Sequence, residues 1–201
     1  MKLYYYPGAC SMAAHIVLRE GKFKFELDKV DLAAKRTEGG EDYLAVNPKG
    51  YVPALRLDDG TVLTEVAVII QYLADQKPRR GLAPKPRTAE RYRLLEWLNF
   101  TASEIHKGIG DFFNPKMTPE WREAKIERLG KRFDYLEKAL GSQQYLMGEF
   151  SIADAYLFPV LNWTNLHQID VSNWPNLKAF MARIAERPAV KKAMKAEGLT
   201  K

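Results

Sequence analysis

Between Gln76 and Thr88 the chain reads QKPRRGLAPKPRT, with three prolines and a glycine among basic residues. Neither helix nor strand persists through such a run, so it divides the chain into two kinds of sequence. Upstream, short β-prone and helix-prone segments alternate. Lys2 to Tyr6 favours a strand, Cys10 to Glu20 a helix stopped by Gly21, and Phe25 to Leu32 a second strand, which together make a βαβ unit with parallel pairing. A short helical or irregular segment follows around Glu41 to Val46. An Asn-Pro-Lys-Gly turn then leads into Val52 to Leu57 and Thr61 to Leu63, which Asp58-Asp59-Gly60 joins as an antiparallel hairpin, and Glu65 to Ala74 reads as a helix. Downstream of the break nearly everything is helical: Ala89 to Gly110, Glu120 to Leu140, Ile152 to His167, Pro175 to Glu186, and a short tail helix after Pro188. The expected organisation is an α/β domain over residues 1–76 with a mixed four-stranded sheet, a linker over 77–88, and an all-α domain over 89–201.

Composition narrows the class. The 201 residues contain no run of about eighteen apolar side chains and no secretory-type N-terminus, which predicts a soluble, cytoplasmic protein with no membrane partner. One cysteine excludes an internal disulfide framework, and with three scattered histidines it gives no metal-ligand spacing. The net charge of +6 raises the question of nucleic acid. Basic residues outnumber acidic ones by 12 to 11 up to Arg80 and by 19 to 14 beyond it. Even in the second part the two signs are interspersed, as a solvated helix face has them, and no basic stripe is interleaved with aromatics, so no nucleic-acid partner is expected.

Three local features point to chemistry. Cys10 follows a Pro-Gly turn and opens a helix, where backbone N–H groups and the positive end of the dipole favour a thiolate. A buried structural cysteine is the plain alternative. Alanine stands at position 13, where a dithiol oxidoreductase carries its second cysteine, so a redox cycle would take its other thiol from outside the chain. Val52-Pro53 opens a β-run directly after a turn and is either a cis peptide that frees the Val52 backbone for an extended ligand, or an ordinary trans proline starting an edge strand. Thr64-Glu65-Val66-Ala67 begins a helix whose first N–H groups and Glu65 carboxylate together suit an amino-acid head group, unless Thr64 is simply a cap.

In the helical part, Leu95, Leu98, Ala102, Ile105 and Ile109 form one apolar stripe at helical spacing, with Asn99, Ser103 and His106 along its edge. Ser151-Ile152-Ala153-Asp154 reads as a capping box with a shorter acid than usual, a folding element worth about 1 kcal/mol. Tyr5, Phe113 and Trp163 are the aromatic residues put forward for an apolar substrate.

The segments LYYYPGACSMAAHI, VNPKGYVPAL, LTEVAVIIQYLAD, EWLNFTASEIHKG and FSIADAYLF, in this order, resemble the cytosolic glutathione S-transferases, specifically the bacterial beta class. The resemblance implies a thioredoxin-like first domain, a cis Val52-Pro53 bond, and a homodimer with one glutathione site per subunit. It puts Cys10 and His106 beside the glutathione sulfur as the catalytic pair and Lys35 near the glycyl carboxylate. Val52 lies along the cysteinyl part, Glu65 and Val66 at the γ-glutamyl head, and Asn99, Ser103, Glu104 and Lys107 around the tripeptide. Glutathione is then a co-substrate, with no permanently bound cofactor and no metal, and a small hydrophobic electrophile is the second substrate. Many relatives carry serine where this chain has Val66, so a hydroxyl contact to the γ-glutamyl carboxylate is missing. The expected activity is conjugation of the glutathione thiolate to electrophiles, with disulfide or peroxide reduction through Cys10. A non-catalytic carrier or protein-docking module on the same fold is the alternative, and retention of Cys10, Val52-Pro53, Glu65 and His106 together argues against it.

Overall fold

A computed structural model describes residues 1–141 and 143–200; Ser142 and Lys201, both within the expected helical domain, lie outside the described residues. Two compact units emerge, Met1–Ala83 together with Arg187–Lys201, and Pro84–Glu186.

The first unit begins with the expected βαβ. Strand β1 (Lys2–Tyr5) pairs in parallel with β2 (Glu26–Asp31), Leu3 opposite Leu27, and helix α1 (Met12–Glu20) connects them. Strand β4 (Ala54–Arg56) runs antiparallel to β1 with Leu3 opposite Leu55, and β5 (Val62–Thr64) is antiparallel to β4. The sheet has five strands rather than the expected four, in the order β3-β2-β1-β4-β5. The extra one, β3 (Arg36–Thr37), is two residues long and antiparallel to β2. It forms because the Asp31 carboxylate accepts the Ala33 and Ala34 N–H groups at 2.9 Å each, and Lys35 adopts a left-handed φ of 54°, which reverses the chain onto the sheet edge. A one-turn helix α2 (Tyr43–Val46) and the longer α3 (Val66–Gln76) complete the fold expected for this part.

Every residue of α1 from Met12 to Leu18 is buried, because the helix is enclosed by the sheet, by α3 and by the tail helix α9 (Pro188–Ala196). The tail, expected within the helical domain, thus packs with the first unit. Its anchor is a buried acidic side chain. Glu197 is buried, accepts the Gly8 N–H at 2.9 Å and lies 2.8 Å from Nδ1 of fully buried His15. Nε2 of that ring is 2.9 Å from Arg19 Nε, which can only donate, so Nε2 accepts and Nδ1 carries the hydrogen that Glu197 takes. Glu197→Gln substitutes an NH₂ for one acceptor, so one of these two buried hydrogen bonds to residue 197 is lost. A loss of about 1–2 kcal/mol is expected, read as a fall in Tm of about 2–8 °C.

In the second unit α4 (Ala89–Phe100) is capped by Thr88, whose hydroxyl accepts the Arg91 N–H. It passes through a π-helical stretch, Thr101–His106, into the short α5 (Lys107–Gly110). Helices α6 (Pro119–Leu140), α7 (Ile152–Leu166) and α8 (Pro175–Ala185) follow. Helix α7 is buried on nearly all sides and forms the centre of this unit. Of the stripe expected from regular 3.6-residue periodicity, Leu98, Ile105 and Ile109 are buried, and two of its members are corrected. The buried line runs Leu94, Leu98, Thr101, Ile105 and Ile109, with Leu95 and Ala102 only half-buried. Leu94 and Thr101 take the places of Leu95 and Ala102, one position earlier in each case, which keeps the i+3 and i+4 spacing of a single helical face. No helix among the described residues is long and apolar enough to cross a membrane.

Candidate functional site

The Tyr6–Ser11 turn carries Cys10 to the start of α1. The Ser11 hydroxyl lies 3.2 Å from both the Tyr6 N–H and the Tyr6 carbonyl, and the Ala9 N–H bonds the same carbonyl at 3.1 Å. Cys10 is 8 % exposed, and its Sγ lies 3.5 Å from the Val52 carbonyl oxygen, which accepts from the thiol. The Val52-Pro53 bond is cis, and β4 begins only at Ala54, so Val52 stands just outside the strand ladder.

The turn that delivers Val52 is fixed from inside. Asn47 is 1 % exposed; its side-chain NH₂ donates to the Tyr51 carbonyl at 2.7 Å and its side-chain oxygen accepts the Lys49 N–H at 3.2 Å. The Tyr43 hydroxyl, whose pKa burial pushes up to about 12, donates to the same Tyr51 carbonyl at 3.0 Å. Lys35 reaches over this turn, with Nζ 2.7 Å from the Gly50 carbonyl.

At the mouth of α3, Glu65 occupies the N-cap with φ of 69°, a left-handed conformation unusual for a residue with a side chain. Its carboxylate caps nothing and is ion-paired with Lys49 Nζ, which also donates to the Thr64 hydroxyl at 3.0 Å. Thr64 is therefore engaged by Lys49. The first unit brings together Cys10 with Val52 and Pro53, Lys35 with the turn before them, and Glu65 with Val66. Lys49 was not anticipated; its position in the NPKG turn was the available signal.

In the second unit the expected residues fall on different sides of the π-helical stretch. His106 Nδ1 is 2.7 Å from the Tyr156 hydroxyl, and its ring meets Trp163 edge-on at 5.1 Å between centroids. Trp163 in turn meets Phe113 at 5.1 Å. Phe113 is half exposed, whereas Trp163 is buried. Ser103, Glu104 and Lys107 instead line a cleft of about 150 Å³ with Lys125, Arg128 and Arg132. There Arg132 Nε donates to Glu104 at 2.7 Å, and that hydrogen bond holds the Glu104 carboxyl below its ordinary pKa. The Ser103 hydroxyl donates back to the Asn99 carbonyl at 2.9 Å. Asn99 borders a separate open groove with Tyr92 and Leu95. Tyr5, in the first unit, is buried with its ring tilted against His15, and burial raises its hydroxyl pKa. Tyr156, the partner of His106, also went unanticipated, although it stands in the FSIADAYLF segment.

Family models match both parts of the chain: the glutathione S-transferase N-terminal domain over residues 8–76 and the glutathione S-transferase C-terminal domain over residues 100–188. The chain belongs to the glutathione S-transferase family. It is 49 % identical to glutathione S-transferase GstA of Escherichia coli O157:H7 over 99 % of this chain and all of the relative. Two solved members of the family superpose along the whole of both chains at 48 % identity and a TM-score of 0.95. One is the bacterial beta-class glutathione S-transferase of Sphingomonas chungbukensis, and the other is a sphingomonad glutathione S-transferase complexed with glutathione. The beta-class resemblance seen in the sequence is thereby borne out, as is a thioredoxin-like domain followed by a helical one.

Proposed function

We propose that this glutathione S-transferase binds glutathione as its thiolate and directs it to a small hydrophobic electrophile, with disulfide or peroxide reduction through Cys10 as a second route. The observation that carries this reading is the juxtaposition of Cys10 Sγ and the Val52 carbonyl at 3.5 Å beside Pro53. It offers a backbone edge for the cysteinyl part of a peptide-like ligand next to a thiol. Lys35, Glu65 and Val66 supply charge and a helix start for its two ends. Asn99, Ser103, Glu104, His106 and Lys107 take the roles that the family pattern gives them.

A free thiol titrates near ~8.5, so about 1.4 kcal/mol of anion stabilisation raises the thiolate share near neutrality by at most roughly tenfold. Chemistry of this kind asks the protein for position and hydrogen-bond donors rather than a strong base. His106, held by Tyr156, is a donor of this kind. The Phe113–Trp163 pair is the proposed apolar wall for the electrophile, in preference to Tyr5, which is packed into its own unit. We further propose a homodimer in a reducing cytoplasm. The exposed Tyr92 and Tyr135 rings of the helical unit support association, which light scattering of the pure protein checks.

Calorimetric titration with reduced glutathione is expected to give about one molecule bound per chain, with Kd in the micromolar to millimolar range. No binding at millimolar glutathione would overturn the proposal in favour of a carrier or docking role. His106→Ala is expected to lower conjugation turnover about a hundredfold while the calorimetric Kd for glutathione shifts far less. Wild-type turnover in that variant would remove His106 from the chemistry.

A further inference from the structure

Lys49 has no role in the reading given so far, yet it is held in place with care. Its backbone N–H is bound by the side chain of buried Asn47, its Nζ sits on the Thr64 hydroxyl, and the same ammonium pairs with the Glu65 carboxylate. Both charged groups are substantially exposed, 43 % for Lys49 and 59 % for Glu65. A pair so solvated adds little to stability, so its placement calls for another use. It adjoins the first turn of α3, where the Glu65 side chain caps nothing and where Val66 supplies no hydroxyl.

An α-amino-acid head group carries an ammonium and a carboxylate on one carbon. A carboxylate–ammonium pair on the protein, beside backbone N–H groups at a helix start, is its mirror in charge. We propose that Lys49 is the carboxylate-binding half of a zwitterion clamp whose other half is Glu65, and that it takes over at the γ-glutamyl head the contact that Val66 cannot make. This inference rests on the glutathione reading above.

On binding, the internal ion pair opens. Glu65 turns to the ligand ammonium, and Lys49 turns to the ligand carboxylate while that carboxylate also faces the α3 N-terminus. One ion pair within the protein becomes two between protein and ligand, so no charge is left uncompensated. Lys35 on the Gly50 carbonyl offers the second cation for the second carboxylate of the tripeptide. Lys35, Lys49 and Glu65 together carry one net positive charge, which complements the net negative charge of glutathione at neutral pH. The clamp also selects: a ligand missing either the ammonium or the carboxylate leaves one member of the opened pair without a partner.

The test is calorimetric titration of the full-length protein and of Lys49→Met and Lys49→Arg, each with glutathione and with a synthetic analogue whose γ-glutamyl residue lacks the α-carboxylate. Lys49→Met is expected to weaken glutathione binding about three- to tenfold, with the loss shrinking as salt is raised. The same substitution is expected to strengthen binding of the analogue slightly rather than weaken it, because Lys49 no longer holds Glu65 back from the ligand ammonium, and Lys49→Arg is expected to retain most of the glutathione affinity. Glutathione binding by Lys49→Met that equals or exceeds that of the unaltered protein would overturn the clamp, since Lys49 would then only compete with the ligand for Glu65. Absence of glutathione binding by the unaltered protein would instead overturn the functional reading on which the clamp stands.

Discussion

Asp154→Ala is expected to lower Tm by about 6–20 °C, a larger effect than a helix cap normally gives. In sequence Asp154 is the acid of a capping box, worth about 1 kcal/mol. The structure gives it further work. The residue is fully buried, and its Oδ2 accepts the Ser151 N–H at 2.8 Å and lies 3.0 Å from the Ser151 hydroxyl. Its Oδ1 accepts the Leu146 N–H at 2.9 Å, so the same carboxyl also fastens the loop leading into α7. Truncation strands two buried backbone donors and a hydroxyl, which costs about 3–5 kcal/mol. A domain of this size loses about 2–4 °C for each kcal/mol.

The size of that loss depends on pH with a definite sign. Burial pushes the Asp154 carboxyl up to about 6, against the hydrogen bonds that pull it down. Between about pH 4 and 6 the folded protein therefore holds a proton that the unfolded chain has released, and stability falls as pH rises through that window. The protonated acid can donate to the Ser151 hydroxyl oxygen, reversing one bond without losing it. The Tm gap between the unaltered protein and Asp154→Ala should be widest near pH 4 and narrow as pH rises past 6. Scanning calorimetry across this range checks both claims, and a gap that widens toward neutrality would show that the anion is the better-held form.

Much of the first unit was legible because its signals are local. The Pro-Gly turn before Cys10 and the glycine in Asp58-Asp59-Gly60 each restrict a few residues directly, and the structure has a turn and a hairpin there. At Val52-Pro53 the residues alone left cis and trans open, and the family resemblance pointed to the cis bond that the structure has. Strand β3 gave no such signal. Arg36 and Thr37 are too few to show a period, and they pair with β2 only because Asp31 and Lys35 turn the chain back. Glu197 was illegible for a different reason. In KAEGLT it reads as one more solvated charge, and only the packing of α9 on α1 brings it to His15, 182 positions earlier. The π turn at Thr101–His106 is hidden because a 3.6-residue template fits the apolar residues on either side of it. Of the site, the sequence named Cys10, Val52 and Glu65 singly, and the contact between the first two came with the fold. The sequence missed Lys49 and Tyr156, whose roles depend on neighbours brought close by folding: Thr64 and Glu65 for the first, His106 for the second.

Cys10→Ala is expected to separate the two proposed reactions, lowering reduction of glutathione mixed disulfides by about 10³-fold or more while conjugation to an aromatic electrophile persists. In disulfide reduction the Cys10 thiolate attacks the glutathionyl sulfur of R–S–S–G, the S–S bond breaks, and R–S⁻ leaves and takes a proton. A second glutathione thiolate then attacks the Cys10–glutathione disulfide, releasing oxidised glutathione and restoring Cys10. Each of these steps needs the Cys10 sulfur as a bonding partner, and no other cysteine exists in the chain. In conjugation the sulfur that forms the new bond belongs to glutathione, and Cys10 offers only a hydrogen bond from a thiol that also lies 3.5 Å from the Val52 carbonyl. Losing one donor of that kind costs about 1 kcal/mol, roughly fivefold in rate. Parallel assays of the two activities on one preparation decide the matter. Loss of both in equal measure would make Cys10 part of glutathione binding itself, and survival of disulfide reduction would show that a thiol outside the chain performs the exchange unaided.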